Sequence, residues 1–393
     1  MTNRLILFLF SYGIMACAVS RWRIAGIGPG EMVVGLAALL ALCTRRNQDS
    51  LSYARQSWQW FVGVSVATML TGTFWAGSIG VWESVGFGHD ALALAFCFIS
   101  LTLLFPLLAD ADQRAFFCRQ FLRAGIILAI SNLVFYGGFQ LYLGETTQWI
   151  GRFNGLAANP NQLALYVCPL PFYLLQRPFL LKRWETIAGF LACLSVGWLT
   201  SSDALLLAWL IGFVGLFMLA IQRRSWRVEP RQNAHMKALV SLIFSLLLSV
   251  IIAVFWTYLT DIYAIGGQGN LRFQRWQNGL VALSHSPLFG LGPGAFSGDE
   301  TAFGGYEAHN LYIDWMASGG VLAGLVLIWL QRRVWLNLVA CRAETLLAGF
   351  VSLLVFSSFH YVARHPVFWL YHLLFLLNPR PHVRHLRHPE PIH

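Results

Sequence analysis

Apolar windows of roughly 17–25 residues recur along the whole chain with short polar connections between them, which is about the length a helix needs to cross ~30 Å of hydrocarbon. Twelve such windows, some of them weak, fall at about 5–20, 31–43, 58–77, 91–109, 124–143, 162–176, 185–200, directly after the turn at Asp203, 238–259, 311–330, 345–362 and 366–377. The pattern predicts an all-α, polytopic integral membrane protein with about 12 transmembrane helices, 1–393 forming a single membrane domain. The longest polar interruption separates the ninth and tenth windows. It predicts a larger loop over 260–310 with a short amphipathic helix, and a short basic tail follows the last window at 378–393.

Composition agrees with this reading. With 57% hydrophobic and 11% charged residues, the chain lacks the polar surface to cover a soluble globule of 393 residues. Its net charge of +10 is distributed as short basic clusters between apolar spans, not as one basic-aromatic surface, so it speaks of topology and not of nucleic acid. With both termini placed in the cytoplasm, 21 of the 27 Lys and Arg fall on the cytoplasmic side. The exceptions are Arg21, Arg23, Arg152, Arg272, Arg275 and Arg364, and an arginine that opposes the topology signal calls for another reason. The N-terminus starts like a signal sequence but lacks a clear small-residue cleavage site, so it reads as a retained first helix. The seven cysteines lie in or beside apolar segments without metal-site spacing and read as small buried hydrophobes. The sixteen tryptophans suit interfacial belts, and none is assigned to sugar stacking.

Candidate chemistry collects in two loops expected on the non-cytoplasmic face. In LRFQRWQNGLVALSHS, Phe273, Trp276, Leu280 and Leu283 form one helical stripe with Arg272 and Arg275 beside it. Guanidinium forks there suit a phosphate, and the same spacing fits an ordinary helix whose arginines snorkel to water. The PLFGLGPGAF turn suits either close backbone approach to an anion or simple chain reversal. Tyr306, Glu307, His309 and Asn310 stand at the mouth of the tenth window, with Asp314 a turn further in. His309 is a candidate proton acceptor or a helix-start histidine. In GRFNGLAANPNQ, Arg152, Asn154, Asn159 and Asn161 offer groups that bind sugar hydroxyls, or a polar hairpin. Asp203 is a carboxylate between the seventh and eighth windows, a functional candidate by its depth.

Three of these stretches, in order, resemble the O-antigen ligase/polymerase superfamily of bacterial inner-membrane glycosyltransferases, the Wzy-C type. They are R-x-x-G followed by N-P-N over Arg152 to Asn161, R-F-x-x-W followed by P-L-F-G-x-G-P-G-x-F over Arg272 to Phe296, and H-N-x-Y followed by G-x-x-x-G over His309 to Gly324. Together they cover roughly residues 140–330. The resemblance implies a GT-C-like, metal-independent, inverting glycosyltransferase without cofactors. Such an enzyme takes a glycan from an undecaprenyl diphosphate carrier at the periplasmic face and passes it to an acceptor hydroxyl.

By the same resemblance, Arg272 and Arg275 would neutralise the departing diphosphate, Arg152 would support that charge or the glycan, and His309 would deprotonate or orient the acceptor, with Glu307 as second choice. Asn159, Asn161, Tyr306, Asn310 and Asp203 join Arg152 as substrate-binding candidates. One departure stands out: relatives often carry Ser-Arg where this chain has Ser202-Asp203, so Arg152 or Arg364 would have to supply that cation, or the substrate differs. Ser318 likewise replaces a frequent glutamate. Polymerisation of O-antigen or exopolysaccharide repeats is the leading expectation, and ligation to lipid A core or protein is the alternative. Expected partners are the lipid-linked glycan, membrane lipids and a chain-length regulator or export machinery. A solute transporter or a non-catalytic export subunit are the competing classes; a transporter would place ionisable or broken-helix sites near the midplane.

Overall fold

A computed structural model of the chain describes residues 2–24, 26–44, 52–82, 84–142, 148–149, 152–176, 180–225, 268–297, 303 and 307–378. The ninth predicted span, Glu83, Tyr306 and the tail beyond Asn378 lie outside them. Every other apolar window is helical: α1 (Thr2–Ala16), α2 (Pro29–Leu42), α3 (Ser52–Ser78), α4 (Ser84–Leu104, continued by a 3-10 turn at Phe105–Leu108), α5 (Ala111–Tyr142), α6 (Pro160–Val167), α7 (Leu170–Gln176), α8 (Arg183–Leu199), α9 (Asp203–Ser225), α10 (Gln268–His285), α11 (Leu311–Ala340), α12 (Glu344–Ser357) and α13 (Pro366–Leu376). A two-residue hairpin, β1 (Gln148–Trp149) with β2 (Arg152–Phe153), precedes α6.

Five helical stretches among the described residues are long and apolar enough to cross a bilayer: Tyr53–Ser78, Ser84–Leu108, Ala111–Tyr136, Asp203–Ile221 and Leu311–Ala340. The chain is a multi-pass membrane protein. Other windows give shorter apolar helices, and the sixth divides into α6 and α7 just before and after Pro169. Proline lacks the amide a continuous helix needs there and clashes with the preceding turn.

Apolar residues surround α13, whose eleven residues are all buried. At a rise of 1.5 Å per residue it is only about 16 Å long, so it is a central strut of the bundle and not a lipid-facing span. Trp369 from this helix packs with Trp58 and Phe61 of α3, Phe98 of α4 and Trp315 of α11. Phe61 and Trp315 stack with their centroids 5.9 Å apart. The indole N–H groups of Trp58, Trp315 and Trp369 donate to Thr102 Oγ1, Ala323 O and Ala363 O. These three tryptophans are core anchors, unlike the exposed Trp22, Trp60, Trp184 and Trp198 that suit an interfacial position. Size and a satisfied indole allow either fate, and hydropathy does not separate them.

The glycine-rich turn is also decided by packing. α11 breaks at Gly320, whose φ of 71° is left-handed. At the break, Ala317 O and Ser318 O accept from Leu291 N and Gly292 N at 2.8 and 2.9 Å, and Val321 N donates to Pro287 O at 2.8 Å. Gly290 N is used by Ser286 O. A Cβ at Gly320 would strike Leu288 backbone at 2.1 Å, and one at Gly294 would strike Gly86 O at 2.1 Å. The turn therefore wedges into the broken helix and against α4. Its amides at Gly290, Leu291 and Gly292 serve the fold, which favours the second of the two sequence readings, a turn of the chain, at these three positions.

Candidate functional site

The loops carrying Arg21, Arg152, Arg272, Arg275 and Arg364 meet at one end of the bundle. Arg21 N donates to Leu156 O, joining the α1–α2 loop to the segment after β2. Arg152 Nε donates to Thr200 O at 3.0 Å and its Nη2 to Asn161 Oδ1 at 2.9 Å, tying the hairpin to the turn before α9 and to α6. Trp75 Nε1 donates to His285 O at 3.0 Å, pinning the end of α10 to α3.

One face of α10 brings Arg272 and Arg275 inward. Positions 272, 275, 279 and 282 share a stripe at helical spacing. Gly279 and Ala282 are its buried members, and a Cβ on Gly279 would come within 2.6 Å of Ile313 Cγ2. Only glycine lets α10 lie this close to α11, and the two arginines on that stripe consequently act on His309. Phe273 and Leu280, members of the adjacent stripe read from the sequence, stay exposed, as an interfacial helix requires.

His309 occupies the last loop before α11, with a left-handed φ of 55°. Asp314 holds it there: one carboxylate oxygen accepts from Ala308 N at 2.8 Å and the other from Asn310 N at 3.0 Å, clamping the backbone on both sides of the histidine. Asn310 caps α11 through Tyr312 N and Ile313 N. The His309 ring is 41% exposed and lies 3.8 Å from Glu307, too far for a hydrogen bond. Burial of the site, then the charges of Arg275, Arg272 and Arg364, lower its pKa to about 4, so at neutral pH it is an uncharged imidazole.

Arg364, in the α12–α13 loop, forms the far wall. It makes an ion pair with Glu307 and a 2.8 Å bond to Asp90 Oδ1 of α4. His89 contacts the same carboxylate oxygen at 2.9 Å. Although burial works against its charge, Glu307 and Asp90 hold Arg364 firmly protonated. Burial raises the Glu307 carboxyl, with Arg364 opposing and Asp90 reinforcing. Glu307 is engaged by Arg364, whereas His309 makes no hydrogen bond to it and stays an uncharged imidazole.

At the other wall, Asn159 caps α6 by accepting from Asn161 N at 2.8 Å, while Asn161 Oδ1 accepts from both Arg152 and Ser202. Asp203 opens α9 and is exposed. Arg152 is drawn to a lower pKa by burial; Asp203 opposes that shift and Arg272 adds to it. Arg152 and Arg272, 120 positions apart in sequence, therefore feel each other. His360, in the same loop as Arg364, is a residue the sequence reading missed. Hydropathy places it inside the eleventh window, but α12 ends at Ser357, and the ring is 8% exposed.

The bundle and its cationic end define a multi-pass helical membrane protein with converging arginines around a neutral histidine. Residues 188–328, from α8 into α11, match the O-antigen ligase family model (Wzy-C). The match supports the O-antigen ligase/polymerase superfamily and membrane glycan transfer of that type. It contains Arg272, Arg275, Glu307 and His309, while Arg152, His360 and Arg364 lie outside it. No curated protein matches the chain.

Proposed function

We propose that this protein polymerises undecaprenyl-diphosphate-linked oligosaccharide repeats at the periplasmic face of the inner membrane, with both termini in the cytoplasm. The observation that carries the reading is the gathering of cations at this end of the bundle: Arg275, Arg272 and Arg364 act on His309, and Arg152 feels Arg272. Guanidinium groups gathered at one place offer the forked donors that suit a diphosphate.

In the proposed reaction, the acceptor hydroxyl oxygen attacks the anomeric carbon of the lipid-linked glycan. The bond from that carbon to the diphosphate oxygen breaks with its electron pair going to the diphosphate, and the hydroxyl proton passes to His309. Arg272 and Arg275 stabilise the charge that grows on the leaving group, and Arg152 supports it from the opposite wall. Burial is the main cause of the lowered His309 pKa, and diphosphate binding would offset the second one, the arginine charges, raising the basicity of the ring when the donor is in place. Arg152 reaches the turn before Asp203 through Thr200 O, which supports it as the cation for the arginine that relatives carry at that turn. Asn161 and Asp203 would meet the glycan beside it, with Asn159, Asn310 and Tyr306 as further contacts.

Ligation of the same donor to a lipid or protein acceptor is the second reading, favoured by the description of the matching family as O-antigen ligase. Against a transporter, the break in α11 has its freed backbone groups taken by the glycine turn, so it leaves no ion-coordinating carbonyls at Ala317 or Ser318. The test is glycan transfer by the purified protein on a polyprenyl-diphosphate repeat unit with a chelator present. Ladder formation that is lost in Arg272→Ala and His309→Ala supports polymerisation. A single addition to lipid A core supports ligation, and no product with either acceptor rejects both.

A further inference from the structure

Two ties fix the loop between α12 and α13 that carries Arg364. Trp369 Nε1 donates to Ala363 O at 2.7 Å, and Arg364 O accepts from Cys97 Sγ of α4 at 3.5 Å. From this fixed point the guanidinium lies over the Tyr361 ring, 5.1 Å from its centroid. Its Nη1 donates to Asp90 Oδ1 at 2.8 Å, and its Nη2 pairs with Glu307 Oε1. Asp90 is only 3% exposed and is held in turn by His89 Nδ1 at 2.9 Å. The guanidinium thus spans from α4 to the segment before α11. The second oxygen of Glu307, Oε2, faces His309 Nδ1 at 3.8 Å. Asp314 keeps the histidine opposite it by gripping the backbone on both sides. A carboxylate with one oxygen held by an arginine and the other turned to an imidazole nitrogen has the arrangement that orients a base.

We propose that Arg364 is a positioning residue: it holds the Glu307 carboxylate beside Nδ1 of His309, which keeps the ring proton on Nδ1 and leaves the lone pair of Nε2 for the acceptor hydroxyl. The proposal rests on the glycan-transfer reading for the reaction. As the acceptor O–H bond breaks, its proton bonds to Nε2 and the ring becomes an imidazolium. Nδ1–H then closes the 3.8 Å gap as a charge-assisted hydrogen bond to Oε2. When the product leaves, Nε2 returns the proton to water. Without Arg364, a largely buried carboxylate would take up a proton itself and lose that role. The bridge also gives a reason for an arginine on the side of the membrane where the topology signal disfavours one.

The test uses the full-length protein in phosphatidylcholine nanodiscs with a polyprenyl-diphosphate repeat unit as substrate. Glu307→Gln keeps the side-chain volume and leaves Arg364 on Asp90, so no charge is stranded. It is expected to lower kcat by about 10- to 100-fold, with KM within about threefold and an unchanged melting temperature. For the same reason Arg364→Met is made together with Asp90→Asn and Glu307→Gln. This triple variant should lose no more than Glu307→Gln alone, because Arg364 acts through that carboxylate. Nitrogen NMR of the isotope-labelled protein at neutral pH, with His309→Gln to assign the ring by difference, reads the tautomer directly. Wild type should show a protonated Nδ1, and Glu307→Gln a mixture of the two tautomers.

Full kcat in Glu307→Gln overturns the role and leaves the glycan-transfer reading standing. A further loss in the triple variant at unchanged melting temperature overturns action through Glu307. A wild-type ring protonated on Nε2 overturns it as well, and that measurement decides the matter if either variant melts early. No transfer by wild type from intact substrate removes the glycan-transfer reading, and the role of the bridge in it falls too.

Discussion

The two ends of the helix bundle use the same side chain in opposite ways. At the end where α3, α5 and α8 begin, arginines are engaged locally and apart from one another. Arg123 pairs with Glu185 at 3.1 Å, Arg114 donates to Leu108 O and Ala109 O, Arg4 lies over Phe116, and Arg333 lies over Tyr53 and Trp329. At the other end arginines from distant segments meet: Arg275 and Arg272 act on His309, and Arg152 feels Arg272. Dispersed cations anchor a bundle in its interface, whereas the gathered ones support the diphosphate site proposed above. Arg364 shows the intermediate case, a site-end arginine neutralised by two carboxylates.

That contrast can be broken most severely by removing convergent charge. Arg272→Ala combined with Arg275→Ala should reduce glycan transfer by on the order of 10³-fold, measured as polymer formed per unit time, with melting temperature retained. Lysine at both positions should restore only part of the rate, because it lacks the bidentate fork.

His309→Ala follows, with an expected loss of on the order of 10²-fold. The pH profile sharpens this. The ring's pKa is lowered to about 4 in the free protein, so the base is unprotonated throughout the neutral range and protonates only as pH falls toward that value. The acid limb for free enzyme should therefore lie below the ordinary histidine value of about 6.5 and be absent in His309→Ala. The same shift has a stability sign. Between about 4 and 6.5 the unfolded chain binds the proton that the folded chain refuses, so this histidine's contribution is present above 6.5 and is lost as pH falls through the window.

Asp314→Asn probes the clamp. Asparagine has one acceptor oxygen where two backbone amides, at Ala308 and Asn310, need one each, so one bond is lost at about 1–3 kcal/mol. The expected outcome is a lower melting temperature together with a fall in turnover, because His309 loses the support for its left-handed backbone. At the opposite end, Arg123→Ala should cost no more than about 1 kcal/mol and leave transfer within about twofold, since a partly exposed pair is screened by water. A larger effect on transfer there would dissolve the distinction between the two ends.

Much of the fold was legible because hydropathy is a local property. An apolar window must become a helix in lipid whatever its neighbours are, and α1 to α9 and α11 to α13 follow the windows closely. Arg272, Arg275, Glu307 and His309 were legible as candidates because charge stands out in an apolar chain. His360 was hidden by the same rule. One histidine within an apolar run does not interrupt the window, and the end of α12 at Ser357 depends on how the following loop packs. Asn159 and Asn310 look like ligands in the sequence, and their cap bonds become visible only with the helix starts in place.

The linear chain thus carries the helical membrane class, the sharp asymmetry of its arginines and the identity of most candidate site residues. Hydrophobic length and charge act segment by segment, and they can be read that way. It takes the folded arrangement to show that Asp314 grips both sides of His309, that the glycine turn fills the break in α11, that α13 is a buried strut, and that Arg364 ties Glu307 to Asp90. Each of those depends on backbone groups or charges remote in sequence finding one another, and the free energy of such a meeting belongs to no single segment.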